Sequence, residues 1–232
     1  MLGSHHWIRE SMAMPTIVFE EKISIPAEVT DVESFRRWAL SPRFPDRGRF
    51  SFLAGEVWFD MSPEELLTHN RVTGELAAVL TTLLKARPMG YFFHDRALVT
   101  CPSAELSTEP DGCFVSFESL KSGRVRLVEG NEGYVEMEGA PDMVLEVVSP
   151  SSVRKDTVTL RELYGRAGVD EYWLVDARGT KPKFDILRPR GGRLAAAPSR
   201  RGWLASAIFG RSFRLVRRID EMGHPSYLLD CR

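Results

Sequence analysis

Little about this chain is extreme, and several absences narrow its reading. It has only three cysteines, Cys101, Cys113 and Cys231, which form no close pair and leave one odd. That speaks against a disulfide framework or a four-cysteine zinc site, and fits a reducing cytoplasm. The formal net charge is -1, so no global basic field announces a nucleic-acid-coating protein, although a local basic cleft stays open. No apolar run approaches the roughly 18 residues of a membrane span. The start, "MLGSHHWIRESMAMP", lacks the continuous apolar core of a signal peptide. Its "GSHH" resembles the scar of an expression vector, and residues 1–14 are given no role. No repeat, low-complexity run or linker stands out, so residues 15–232 read as a single domain. What remains is ordinary for a globular protein: 232 residues, 43% hydrophobic and 27% charged.

The chain alternates short apolar segments with a few helical ones. Residues 16–29, "TIVFEEKISIPAEV", read as a strand or extended arm. "TDVESFRRWAL" reads as a short helix capped at Thr30, with Glu33 three residues on. "FSFLAGEVWFDM" reads as two strands around a Gly55 turn. The clearest helix starts at "SPEELL", capped by Ser62 with Pro63 in its first turn, carries Leu66, Val72, Leu76, Val79, Leu80 and Leu83 as an apolar stripe, and stops at Pro88-Met-Gly90. "YFFHDRALVTC" and "GCFVSF" read as strands around "PSAELSTEPD", and "SGRVRLVEGNEGYVEMEG" as a hairpin or a long excursion on the surface. "PDMVLEVV", a helix over about 155–167 ending at Gly168, and "EYWLVDAR" then make a βαβ unit with a parallel pair. "KFDILRP", "GWLASAIFG" and "SFRLV" read as short terminal strands or turns. The whole is an α/β chain with a mixed sheet, many strands and few helices.

One segment raises a chemical question. In "PDMVLEVVSPSSVRKD" the carboxylate of Glu146 lies among Met143, Val144, Leu145, Val147 and Val148. An ionised carboxylate in such a strand is costly unless a positive group meets it. Asp142 shares its face but lies roughly 13 Å away at about 3.3 Å per residue, too far for a common ligand. A second carboxylate must come from another strand, and "STEPDGCFV" offers Asp111. Strands about 4.8 Å apart could bring Asp111 and Glu146 onto one hard cation.

A Pro-Asp followed 35 residues later by an acid in an apolar strand resembles the PD-(D/E)XK nuclease superfamily. The likeness is closer to one branch, the Uma-two family of restriction endonucleases. "MSPEELLTHNRVTGEL", "LSTEPDGCFVSF", "PDMVLEVVSPSS" and "LYGRAGVDEYWLVDAR" carry it, with a tail like "GWLASAIFGRSFRL", over about residues 50 to 215. The resemblance implies a restriction-endonuclease-like mixed sheet flanked by helices, with extra N-terminal strands here. It implies Mg²⁺, or Mn²⁺ in its place, held by Asp111, Glu146 and the Val147 carbonyl, and hydrolysis of DNA phosphodiester bonds. It makes His69 an ancillary catalytic residue, and a homodimer would place two cuts on a duplex.

The pattern fails at one place. Two residues after Glu146, where the superfamily has lysine, stands Val148. In the family this lysine moves into the following helix, near Leu160, which is also apolar. Lys155 is the preferred substitute, with Arg154 and Arg161 as alternatives. Blander readings stand beside these. Asp111 suits a turn before Gly112, His69 a helix surface, and Lys155 a solvated helix start. Asp142 reads as a hydrogen-bonding residue at a strand start, Asp156 as a helix cap, and Tyr164, Tyr172 and Trp173 as core. "RPRGGR" and "SRRGW" read as solvated loops rather than DNA contacts. A nuclease fold that only binds DNA or protein, and a small-molecule hydrolase, are the rival functions.

Overall fold

The computed structural model describes residues 24–130 and 133–232. Helix α1 (Val32–Ala39) precedes the hairpin β1 (Arg49–Leu53) and β2 (Glu56–Asp60). A π-helical turn (Leu66–Asn70) runs into α2 (Arg71–Ala86), followed by β3 (Gly90–His94), β4 (Leu98–Cys101), β5 (Leu106–Thr108) and β6 (Gly112–Ser116). After α3 (Phe117–Lys121) come β7 (Val125–Gly130), β8 (Gly133–Gly139) and β9 (Met143–Val147). A second π-helical turn (Lys155–Thr159) leads into α4 (Leu160–Ala167) and then β10 (Glu171–Asp176). The chain ends with β11 (Lys183–Arg190), β12 (Arg193–Ala196), β13 (Ser199–Arg200), β14 (Trp203–Ser206), β15 (Arg211–Ile219) and β16 (Pro225–Cys231).

These strands form three sheets, in the orders β2-β1-β5-β4-β8-β7, β12-β11-β10-β9-β6-β3 and β13-β14-β15-β16. In the second, β9 and β10 run parallel across the α4 crossover, and the other pairs are antiparallel. Alternation along β9 splits the core. Val144 joins Tyr164, Tyr172 and the buried side chains of the first sheet, whereas Met143, Leu145 and Val147 pack with Val72, Leu76 and Leu80 of α2 and with Phe213 and Leu229. The second sheet is therefore covered on both faces, which is why β9 reads as an almost unbroken apolar run. Among the described residues, no helix is long and apolar enough to cross a membrane.

Several local expectations need correction. Residues 1–14 and most of the proposed arm at 16–29 lie outside the described residues, and Pro26 to Val29 form a turn rather than a strand. Asp31, not Thr30, caps α1: its carboxylate accepts the Ser34 N–H while the Ser34 hydroxyl takes the Asp31 N–H. Ser62 does not cap the long helix. The Glu65 carboxylate accepts the N–H groups of Leu67, Thr68 and His69, so the helix begins three residues later and His69 lies in a π turn. "YFFHDRALVTC" splits into β3 and β4, in different sheets, because Asp95 and Arg96 both adopt left-handed φ angles of 58° and 55°. β7 and β8 form the expected antiparallel hairpin, which is no surface excursion, since β8 also pairs in parallel with β4 and buries Met137. The Arg-rich pieces are not loops: they form the β11–β12 and β13–β14 turns with their flanking strands.

Candidate active site

β6 and β9 pair with Gly112 opposite Leu145 and Cys113 opposite Val144. Continuing that register by one residue sets Asp111 opposite Glu146, so the two carboxylates share a face at the strand ends. Both are almost fully buried, at 3% and 2% exposure, and both line a cleft of about 560 Å³. Val147, Lys155 and His69 line it too. All five residues singled out by sequence are thus brought together.

Their surroundings differ. Asp111 Oδ1 accepts from Arg49 Nη1 at 2.8 Å; Oδ2 accepts the Val147 N–H at 2.7 Å and lies 3.3 Å from His69 Nε2. Burial alone would raise the Asp111 pKa, but these donors outweigh it and hold the carboxyl below its ordinary value. His69 Nδ1 lies 2.7 Å from Glu64 Oε1. Burial disfavours the imidazolium, yet Asp111 and Glu64 outweigh that and raise His69 to about 9. It is a cation at neutral pH, not a free base.

Glu146 accepts from the Tyr164 hydroxyl at 2.7 Å. Burial pushes its pKa up to about 8, with Lys155 opposing through space and Asp111 adding to the rise. Burial would lower the Lys155 pKa, but Glu146, Asp156 and Asp111 hold it above its ordinary value, so the ammonium stays charged. Lys155 Nζ lies 3.5 Å from Asp156 Oδ1, an atom with no hydrogen-bond partner among the described residues. Asp156 is no helix cap: its other oxygen takes the Ser152 hydroxyl, and burial raises its pKa to about 6.

The alternatives to Lys155 point elsewhere. Arg161 donates to the Leu194 carbonyl, Arg154 is exposed, and Val148 and Leu160 are buried in the core. Asp142 lies apart, accepting from Ser116 and Ser119 as a strand-start residue would. Tyr164, Tyr172 and Trp173 are core, though Tyr164 also touches Glu146. Sequence reasoning missed Arg49, which also reaches Asp95 at 3.1 Å and Glu64 at 3.5 Å, and missed Glu64 itself. No local signal marks Arg49, because its partners lie far along the chain. Glu64 was legible only as a helix-start acid.

The oxygen donors here suit a hard divalent ion: two opposed carboxylates and a strand end whose carbonyls lie beside them. Among the described residues no three His, Cys, Asp or Glu side chains are grouped around one point, so backbone and water would complete such a site. Glu146 is the telling member, a buried carboxyl whose protonated form is favoured until a positive charge arrives.

The sheet order and the helices around it define a restriction-endonuclease-like α/β protein. The chain belongs to the Uma2 family, described as "Putative restriction endonuclease", whose profile matches residues 32–214. Its structure is similar to that of a "putative nuclease belonging to DUF820" from Anabaena variabilis ATCC 29413, with a TM-score of 0.57 and 16% identity over 78% of this chain and 90% of that one. At that identity the likeness establishes the fold. No curated protein matches the chain.

Proposed function

We propose that this protein is a Mg²⁺-dependent endonuclease, with Mn²⁺ able to substitute, that hydrolyses DNA phosphodiester bonds. The observation that carries the reading is Asp111 opposite Glu146 in one cleft with the charged Lys155 beside them. Asp111, Glu146 and the Val147 carbonyl would hold the ion, which supplies Lewis-acid polarisation of the phosphate and lowers the pKa of water. Lys155 then does what the missing lysine two residues after Glu146 would do. Its ammonium holds an attacking water by its oxygen and offsets the negative charge that grows on phosphorus. The unpartnered Oδ1 of Asp156 keeps that ammonium turned into the cleft. His69, charged and tied to Glu64, orients Asp111 rather than taking a proton from water. Two copies acting together would cut both strands of a duplex.

The test is nicking of supercoiled plasmid with Mg²⁺ or Mn²⁺, with calorimetric titration of each metal in parallel. Metal binding and nicking lost together in Asp111→Ala and Glu146→Ala support the reading. No metal binding by the wild-type protein sinks it. A second reading, a nuclease fold that binds DNA without cutting it, draws on one observation: both Asp111 oxygens are already occupied by Arg49, His69 and the Val147 N–H. It expects DNA binding that is indifferent to chelator and no nicking.

A further inference from the structure

Charge is not spread evenly along the chain. Residues 178–232 hold 13 Lys and Arg against 4 Asp and Glu, a net +9, so the other 177 residues carry −10 of the total of -1. A site built on carboxylates repels a polyanion, and a chain of net charge -1 offers no general attraction to it. Residues 199–232, which form the third sheet, hold 7 Lys and Arg against 3 Asp and Glu, a net +4 of that excess, and strand alternation sorts their side chains. Leu204, Phe213, Tyr227 and Leu229 face inward, packed with α2 and the second sheet. The positions between them face out. Arg200 stands opposite Trp203, Arg214 opposite Asp230, and Arg218 opposite Ser226. Continuing the β14–β15 register puts Trp203 opposite Arg214, and Arg232 exchanges backbone hydrogen bonds with Ser212 on the same face.

This outer face is ordered. The guanidinium carbons of Arg214 and Arg232 lie 4.7 and 4.1 Å from the centre of the Trp203 ring, which fixes both side chains. Asp230 is neutralised by Arg214 at 2.6 Å, while Arg200, Arg218 and Arg232 are exposed. The sheet itself is held firmly: buried Glu171 of β10 accepts from Ser206 Oγ and the Ala207 N–H, both at 2.7 Å. The turn joining β15 to β16 is tied to the start of α2, because Asp220 pairs with Arg71 at 2.8 Å.

We propose that the outer face of the β13–β16 sheet is a docking surface for a nucleic-acid backbone, with Arg200, Arg218 and Arg232 meeting phosphates and Trp203 holding Arg214 and Arg232 in place. The proposal rests on the reading of the cleft as a nuclease site, and adds where the substrate is gripped. It needs no base-specific contact, since phosphate neutralisation is independent of sequence. The β15–β16 turn at one end of this sheet is tied to α2, the helix that follows the His69 turn.

The experiment measures binding by fluorescence anisotropy of a labelled duplex of about 20 base pairs and of the matching single strand, with chelator present so that cleavage plays no part. The triple variant Arg200→Glu, Arg218→Glu, Arg232→Glu is set against a control, Arg43→Glu, Lys85→Glu, Lys121→Glu, which changes net charge equally. The expected result is at least roughly 10-fold weaker binding in the first variant alone, with a salt-dependence slope lower by about 3. Equal weakening in both variants overturns the proposal, because net charge would then account for it. Unchanged DNA binding overturns it too. Nicking by the wild-type protein is scored separately, so a failed cleft and a failed docking face give different results. The stronger of the duplex and single-strand losses identifies the form of nucleic acid that lies on the sheet.

Discussion

Two carboxyl groups of the cleft, Asp111 and Glu146, are equally buried and directly opposed, yet their proton affinities move in opposite directions. Asp111 is met by Arg49, His69 and a backbone N–H, and its pKa falls. Glu146 is met by a phenol, and its pKa rises to about 8. Burial acts on both in the same sense, so the difference lies in the company each keeps. The protein meets one half of the site with direct hydrogen bonds from its own cations, and the other with a phenol and with Lys155 acting only through space.

Removal of either carboxylate is the largest expected effect. Asp111→Ala and Glu146→Ala should each lower metal-dependent nicking by at least about 10²-fold. Their effects on folding should separate them. Asp111→Ala strands Arg49 and His69 without their buried counter-charge, and should cost about 3–5 kcal/mol in chemical denaturation. Glu146→Gln keeps the shape and the acceptor for Tyr164 while removing an ionisation that burial opposes. It should stabilise the metal-free protein at neutral pH by roughly 2–3 kcal/mol, since each tenfold change in proton affinity is worth about 1.4 kcal/mol. A destabilised Glu146→Gln protein would break the comparison.

The sign carries over to pH. Glu146 has its folded pKa raised, from 4.5 to about 8. Between those values the unfolded chain loses a proton that the folded one keeps, so stability falls as pH rises through this window. Asp111 is the reverse case, its stabilisation present above the ordinary carboxylate pKa and lost as pH falls through its lowered value. Denaturation midpoints of wild type and Glu146→Gln should converge near pH 4.5 and diverge towards pH 8. Parallel curves across that range would show that Glu146 is not buried without a counter-charge.

How much of this was legible follows the range of the interactions. Nearly unbroken apolar runs marked β9 and β10, and Gly168, at a φ of 88° where a left-handed turn is needed, marked the end of α4. Those signals lie within a few residues. The pairing of Asp111 with Glu146 was reachable because each sits at a fixed place relative to an apolar strand. Arg49 was not, since it meets Asp111 from 62 residues away and nothing in "GRFSFL" distinguishes it from any strand-start arginine. The π turns at Leu66–Asn70 and Lys155–Thr159 were equally hidden, because a helical apolar period does not register one inserted residue. The left-handed pair Asp95–Arg96, which diverts the chain between two sheets, looked like the middle of one strand.

The smallest effect probes the Glu146 end most finely. Tyr164→Phe removes the hydroxyl that Glu146 accepts at 2.7 Å, in a place where both rings, Tyr164 and Tyr172, are fully buried. The hydrogen bond favours the carboxylate, so its loss should raise the Glu146 pKa further, and stability should drop by about 1 kcal/mol. The same substitution made in Glu146→Gln removes a neutral hydrogen bond instead, roughly half as strong as one to an ionised oxygen. A double-mutant cycle at about pH 9, where Glu146 is largely ionised, should therefore give a larger coupling than one at about pH 6, where it is protonated. Equal coupling at both values would mean that Tyr164 recognises the shape of Glu146 and not its charge. Lys155, acting through space, would then be what meets the charge of Glu146.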